Sequence, residues 1–242
     1  MTSFVQRPYL PPPPGLPDEL FARGDVPMTK SEVRALTMTT AQLRPAHRVL
    51  DVGAGTGSLT MEAAMLCPEG EAVAVERSEK ALDLIRENAA RFGLENVTAV
   101  AGEAPAALAG LGTFDRILVG GSGGRLAAIL AAAPALLRPG GRIVCNSICL
   151  ETTATVAAAL RRPPWTGFSC VQLSVSRGVA AGLLLRFEAL NPVWVTAADL
   201  AAAADLRGPA ASLSLANADA GTATAAASAP SAGAPGAAGG AS

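Results

Sequence analysis

The sequence predicts an α/β fold, a doubly wound and largely parallel sheet with an antiparallel hairpin at one edge. Three observations predict it. Between about residues 16 and 196, short apolar runs alternate with helical patterns, an order that pairs strands in parallel through right-handed crossovers. A glycine-rich turn, LDVGAGTGS at residues 50–58, leads from one apolar run into a helix, and Glu76 ends the next run. The last two apolar runs have no helix between them, so they are expected to pair antiparallel.

The elements follow in order. Residues 29–43 read as a helix, in which Thr29 and Glu32 make a T-x-x-E capping box whose side chains satisfy free backbone donors of the first turn. Residues 48–52 form a short apolar strand, 58–66 a helix and 72–76 a strand. A helix over 78–92 stops at Gly93. Strands at 96–101 and 114–119 come next, then a helix over about 124–137. Pro139-Gly140-Gly141 makes a turn into a strand at 142–148, and 151–160 is helical. Runs at 170–176 and 183–189 form the hairpin, with 193–196 extending its second strand.

This domain, residues 16–196, has dissimilar flanks. Residues 1–15 form a Pro-rich extension with prolines at 11–14, which favour an extended polyproline conformation. Residues 197–242 are rich in Ala, Gly, Ser and Pro. They have room for a helical turn or two up to 206, and beyond Gly208 hold too little large apolar surface to offset chain entropy, so disorder is expected there.

Composition removes several function classes. The single histidine, His47, excludes a zinc site built from several histidines and would have to be the base of any Ser-His-Asp hydrolase. No metal is expected. A net charge of −1 argues against a general nucleic-acid binder. Cys67, Cys145, Cys149 and Cys170 form no C-x-x-C pair and read as buried free thiols of a reducing cytoplasm. The N-terminal MTSFVQRPYLPPPPG lacks a basic segment followed by an apolar run, so no signal peptide is expected. Apolar stretches end before the ~18 residues a membrane span needs.

The glycine turn carries the chemistry. Its glycines let the backbone turn tightly and approach a ligand, and the helix that follows offers free N–H groups. Glu76, 19 residues after Gly57, can accept both ribose hydroxyls of a nucleoside. A dinucleotide fingerprint needs G-x-G-x-x-G, and residue 58 is serine. Asp51 before the turn suits a cationic, amino-acid-bearing ligand better than a pyrophosphate. Asp51-x-Gly53-x-Gly55-x-Gly57 with a downstream Glu resembles motif I of the class I S-adenosylmethionine-dependent methyltransferases. That resemblance implies a Rossmann-like fold and S-adenosylmethionine as cofactor. Its binding residues would be Asp51, Gly53, Ala54, Gly55, Thr56, Gly57, Glu76 and Arg77, with Thr29 over the methionine end. Glu103 and the N–H of Ala104 would read the adenine edge. Two plainer readings stand beside these: Glu103 as a solvated loop residue, and Thr29 as a helix cap alone.

Further segments narrow the resemblance: LPDELF at 16–21, VPMTKSEVR at 26–34, VGGSGG at 119–124, NSICLET at 146–152, SRG at 176–178 and NPV at 191–193. From residue 15 to 196 the chain resembles the decarboxylating cobalt-precorrin-6B (C15)-methyltransferases of cobalamin biosynthesis, the CbiT family. The same domain forms the C-terminal half of the fused precorrin-6Y C5,15-methyltransferase. The resemblance implies methylation of carbon 15 of a precorrin, cobalt-containing or metal-free, with decarboxylation of the ring C acetate. It also implies a cytoplasmic homotetramer and a separate methyltransferase for carbon 5. The apolar hairpin at 170–196 is the candidate interface.

A substrate with many carboxylates asks for backbone N–H nests and fixed cations. Gly120, Gly121, Ser122, Gly123 and Gly124 are expected to open a helix at the carboxyl end of the fourth strand, where open sheets bind ligands. Lys30, Arg34, Arg125 and Arg177 are the candidate cations, and Asn146 the candidate to orient the ring or a carboxylate. For the cations a solvated surface is the competing reading, and for the glycines a tight turn chosen for packing. Two other functions stay open at this level: a class I methyltransferase for a protein carboxylate or RNA, and a non-catalytic cofactor-binding protein.

Overall fold

Residues 11–202 are described by the structure, a computed structural model. Its helices are α1 (Ser31–Ala41), α2 (Ser58–Leu66), α3 (Glu79–Arg91), α4 (Leu126–Leu136) and α5 (Leu150–Leu160). Its strands are β1 (Arg48–Val52), β2 (Glu71–Glu76), β3 (Val97–Ala101), β4 (Phe114–Val119), β5 (Leu137–Ser147), β6 (Trp165–Leu173), β7 (Ser176–Ala181), β8 (Leu184–Ala189) and β9 (Val193–Leu200). Seven strands form one sheet in the order β3-β2-β1-β4-β5-β9-β6. The pairs from β3 to β5 are parallel, and β9 runs antiparallel to both β5 and β6.

The central strands are apolar without alternation because helices cover both faces. Leu50, Val52, Val73, Ile117 and Ile143 are buried in a core that includes Ile129 on α4 and Val156 on α5. Val49, Leu118, Val144 and Val195 face a second core against Met38 of α1 and Ala63 of α2. No helix among the described residues is long and apolar enough to cross a membrane.

The C-terminal strands depart from expectation. The runs near 170 and 183 do not pair with each other. β6 pairs with β9, while β7 and β8 form a separate two-stranded sheet. β9 also continues through Ala197–Leu200, where the alanine-rich sequence suggested a helical turn. Ala197 and Ala198 are fully buried, and Asp199 makes a two-point ion pair with Arg142 of β5 at 2.7 Å for each contact. Pairing on both edges of β9 overrides the helix propensity of alanine, which is high but yields to tertiary context. The disorder expected beyond Gly208 and the first ten residues of the Pro-rich extension lie outside the described residues.

Smaller corrections have clear causes. The capping box is not formed. Lys30 precedes α1 without a side-chain cap, and Glu32 turns instead to Arg177. β5 begins at Leu137, so the expected turn at Pro139-Gly140-Gly141 is an irregular strand start, with Gly140 at φ +75°. Cys67 and Cys145 are buried, and burial pushes their thiols up to about 11 and about 12. Cys149 and Cys170 are exposed. Cys149 precedes α5, and Cys170 lies on the edge strand β6.

Helix α1 is held at both ends by arginines. At its C-terminal end Arg116 Nε donates to Ala41 O at 2.6 Å and Arg142 Nη1 to Thr40 O at 3.0 Å, filling carbonyls the helix leaves free. Nearer its start, Arg34 is completely buried. Its Nε donates to Glu62 Oε1 at 2.7 Å and its Nη1 to Asp18 Oδ1 at 2.8 Å. It also donates to the carbonyls of Leu16 and Thr29. Glu62, on α2, accepts the N–H groups of Gly15 and Leu16 at 2.8 and 3.0 Å. The segment 15–30 is thereby fastened across the body of the domain. Glu62→Gln leaves Arg34 with Asp18 as its one carboxylate partner and weakens the charge-assisted hydrogen bonds that Glu62 makes. It is expected to lower stability by about 1.5–3 kcal/mol, read as a lower denaturant midpoint at unchanged slope. A wild-type midpoint would rule this out.

Candidate active site

The glycine turn leaves β1 with Gly53, Gly55 and Gly57 all in the left-handed region at φ +69°, +56° and +75°. At Gly53 the requirement is also steric: a Cβ there would lie 2.2 Å from Gly121 O. The β1 and β4 loops thus touch backbone to backbone. Gly53 N donates to Val75 O at 2.9 Å and Gly120 N to Val52 O at 3.1 Å, which locks both loops to the strand ends.

A cleft of about 760 Å³ opens above this contact, at the carboxyl ends of the parallel strands. One end is acidic. Glu76 is fixed by three N–H donors: Gly55 to Oε2 at 2.9 Å, and Arg77 and Ser78 to Oε1 at 2.8 and 3.0 Å. Asp51 is buried beneath it. Burial pushes the Asp51 carboxyl up to about 6; the Thr60 hydroxyl, donating to Oδ2 at 2.6 Å, pulls the other way, and nearby Glu76 raises it further. Asp51 Oδ1 and Thr56 Oγ1 are buried without a hydrogen-bond partner among the described residues. Unpaired buried oxygens beside two carboxylates suit a cationic, donor-bearing ligand.

The opposite end is neutral to cationic. Thr29, Lys30, Val33, Asn146 and Asn191 line it. Lys30 has no ion pair among the described residues. An apolar wall of Met28, Ile148, Leu173 and Leu190 completes the cleft.

A second cavity of about 210 Å³ shares Glu76 and Arg77 with the first and continues between the β3 and β4 loops. Ala104, Gly121, Ser122 and Gly123 line it. Glu103 stands at its rim, held by Arg125 at 3.0 Å and Arg77 at 3.2 Å, and these guanidinium groups, Arg125 first, keep its carboxyl below the usual range.

Most of the expected site residues converge here, with two corrections. The glycine loop is not one nest at a helix start. Helix α4 begins only at Leu126, after Arg125, whose N–H donates to Ser122 O at 2.8 Å. Gly120 and Gly121 face the large cleft, Ser122 and Gly123 the small cavity, and Gly124 lines neither. Three of the four candidate cations are already neutralised. Arg34 is buried against Glu62 and Asp18, and Arg125 is paired with Glu103.

Arg177, the third, lies on β7 and reaches Glu32 at 2.6 Å, Asp18 at 3.1 Å and Ser31 Oγ at 3.2 Å. The Arg177 hydrogen bonds hold the Glu32 carboxyl down to about 2, and the same carboxylate raises the guanidinium further. Arg177 therefore offers no free cation; it ties the β7–β8 sheet to the segment leading into α1. Sequence reasoning did not assign Leu173, Val175, Leu190, Asn191 or Val193 to the site. The NPV segment was the available signal, but its place depends on the long-range β6–β9 pairing.

Comparison with known proteins agrees with this geometry. Residues 19–198 match the precorrin methyltransferase domain family. The chain is 42% identical over 181 residues to the cobalt-precorrin-6B C(15)-methyltransferase (decarboxylating) of Salmonella typhimurium, covering 74% of this chain and 93% of that protein. It is 36% identical over 186 residues to a probable enzyme of the same name from Saccharolobus solfataricus, covering 75% and 94%. Among solved structures, precorrin-6Y C5,15-methyltransferase from Geobacter metallireducens superposes with a TM-score of 0.73 at 34% identity, over 78% of this chain and 99% of that one. An S-adenosylmethionine-dependent O-methyltransferase from Thermotoga maritima, 15% identical with a TM-score of 0.59 over 72% and 66% of the two chains, shares the fold. The glycine turn, its two carboxylates and these matches place the chain in the precorrin methyltransferase family, on the class I methyltransferase fold.

Proposed function

We propose that this chain transfers a methyl group from S-adenosylmethionine to carbon 15 of cobalt-precorrin-6B, or its metal-free counterpart, and releases the ring C acetate carboxyl as carbon dioxide in cobalamin biosynthesis. The single observation that carries the reading is the polarity of one cleft. Asp51 and Glu76 mark the end for a cation, while Lys30 and two asparagines beside an apolar wall mark the end for a flat, carboxylate-bearing partner. Relatives covered over nine-tenths of their length bear that activity in their names.

The residues fit the cofactor. The orphaned Asp51 Oδ1 awaits a donor such as an ammonium, and Glu76 is pre-oriented to accept ribose hydroxyls. Glu103, Ala104 and Arg77 frame the small cavity for the adenine, and Thr29 lines the large cleft. S-adenosylmethionine, when bound, supplies an electrophilic methyl group. The protein holds both partners in line and excludes water. The accepting carbon is part of an electron-rich macrocycle, so no strong protein base is required. On decarboxylation the bonding electrons pass into the conjugated ring, which then takes up a proton. Lys30 is the cation for a substrate carboxylate. The N–H groups of Gly120 and Gly121 are both donated to Val52 O, so these glycines shape the cleft floor beside the glycine turn.

The reading extends to a cytoplasmic homotetramer, with a separate methyltransferase acting at carbon 5. Leu183, Leu184, Leu185 and Phe187 of the β7–β8 sheet are strongly exposed and form the candidate subunit interface.

Incubation with S-adenosylmethionine and cobalt-precorrin-6B should give a product heavier by one methyl and lighter by carbon dioxide; unchanged substrate mass beside an active control would sink the reading. Glu76→Ala should weaken cofactor binding by roughly tenfold or more, because charge-assisted hydrogen bonds are lost; an unaltered dissociation constant would remove Glu76 from the site. Ionised Asp51 attracts a cation and protonated Asp51 does not. Affinity for S-adenosylmethionine should therefore climb as pH rises through about 6. Calorimetry from pH 5 to 7.5 should show the climb in wild type and its loss in Asp51→Asn.

A further inference from the structure

Thr37 is a buried hydroxyl in the middle of α1, one turn beyond the cleft residue Val33. Packing alone does not call for it, since valine has the same shape and threonine is a modest helix former. Its hydrogen bonds give it a reason. Thr37 Oγ1 lies 2.7 Å from Val33 O, and its single proton is donated there. The same oxygen lies 3.0 Å from Asn146 Nδ2, so it accepts from that amide. Asn146 Oδ1, 3.2 Å away, receives no proton from it. The rotation that places Nδ2 at the shorter of these two contacts, 3.0 Å instead of 3.2 Å, gives the donor to the hydroxyl oxygen.

We propose that Thr37 is a positioning residue: it fixes the Asn146 amide so that the second Nδ2–H, at the cleft end of β5, is offered to a carboxylate oxygen of the substrate. Asn146 and Lys30 both line the cleft, so it offers the substrate a neutral donor as well as a cation. A neutral donor holds a carboxylate without the strong charge pairing that would oppose its loss as carbon dioxide. The inference rests on the proposed function for the identity of the substrate, not for the geometry of the pair.

The test uses Thr37→Val, Thr37→Ser, Asn146→Ala and the double variant Thr37→Val/Asn146→Ala in the full chain. Thr37→Val should raise KM for cobalt-precorrin-6B about tenfold, the worth of one charge-assisted hydrogen bond. Thr37→Ser should stay within about twofold of wild type because it keeps the hydroxyl. Adding Thr37→Val to Asn146→Ala should change nothing further, since Thr37 acts through that amide. The dissociation constant for S-adenosylmethionine should be unchanged in Thr37→Val. In protein labelled with 15N-asparagine, the Asn146 side-chain amide pair, identified by its absence in Asn146→Ala, should shift in Thr37→Val and keep its wild-type position in Thr37→Ser. A wild-type KM in Thr37→Val, or additive losses in the double variant, would overturn the proposal. Should wild type leave cobalt-precorrin-6B untouched, the proposed function falls, and the amide spectrum decides on Thr37: an unshifted pair in Thr37→Val overturns the positioning role, and a shifted pair rescued by serine upholds it.

Discussion

The buried ion pair between Arg34 and Glu62 is the constraint on which the cleft depends. A guanidinium without solvent exposure must find all its acceptors inside the protein. It finds them on three separate pieces of chain: Glu62 on α2, Asp18 on the segment before α1, and the carbonyls of Leu16 and Thr29. That segment has little regular structure of its own, so these bonds set its course. It then carries Val26, Pro27 and Met28 over the glycine turn, where Pro27 O would lie 3.3 Å from a Cβ on Gly55. Asp18 also accepts from Arg177, which brings the β7–β8 sheet into the same network. One desolvated charge thus sets the course of the N-terminal cleft wall and, through Asp18, connects it to that sheet.

The network also explains a shortage of free cations. The chain has nearly balanced charge. The guanidinium groups of Arg34, Arg77, Arg125, Arg142 and Arg177 all contact carboxylates. An arginine fork satisfied by a protein carboxylate has little left for a ligand. What remains at the substrate end is one lysine and the amide side chains of Asn146 and Asn191. This is a weak, distributed receptor for anions. Such a receptor suits a ligand whose many carboxylates would otherwise be held too tightly to exchange.

Much of the fold was legible because its signals are local. The strand at 114–119, the helix at 58–66 and the glycine turn between 52 and 58 follow from runs and turn residues a few positions apart. The same holds for Asp51 and Glu76, whose spacing across one strand–helix–strand unit brings both to a single strand edge. What was not legible depended on distant partners. Ala197–Leu200 read as tail because nothing nearby announces a strand; only β5 and β6, at least 24 residues away in sequence, make it one. Glu32 fitted a capping box by spacing, yet Arg177, 145 residues later, takes its carboxylate. Thr37 gave no signal at all, since its role exists only where α1 meets the end of β5.

The two ends of the cleft also differ in how the chain secures them. At the cofactor end the geometry is covalent and steric. Three left-handed glycines and a backbone contact at Gly53 leave no room for side-chain variation, and Glu76 is aimed by three backbone donors. At the substrate end the geometry rests on side chains meeting across elements, Asn146 on Thr37 and the segment before α1 on Arg34 and Glu62. A backbone-built site resists drift because a single substitution rarely moves it. A side-chain-built site can be retuned one residue at a time. The division matches the demands of the chemistry: a fixed ligand shared across one fold class at one end, and a large, individual partner at the other.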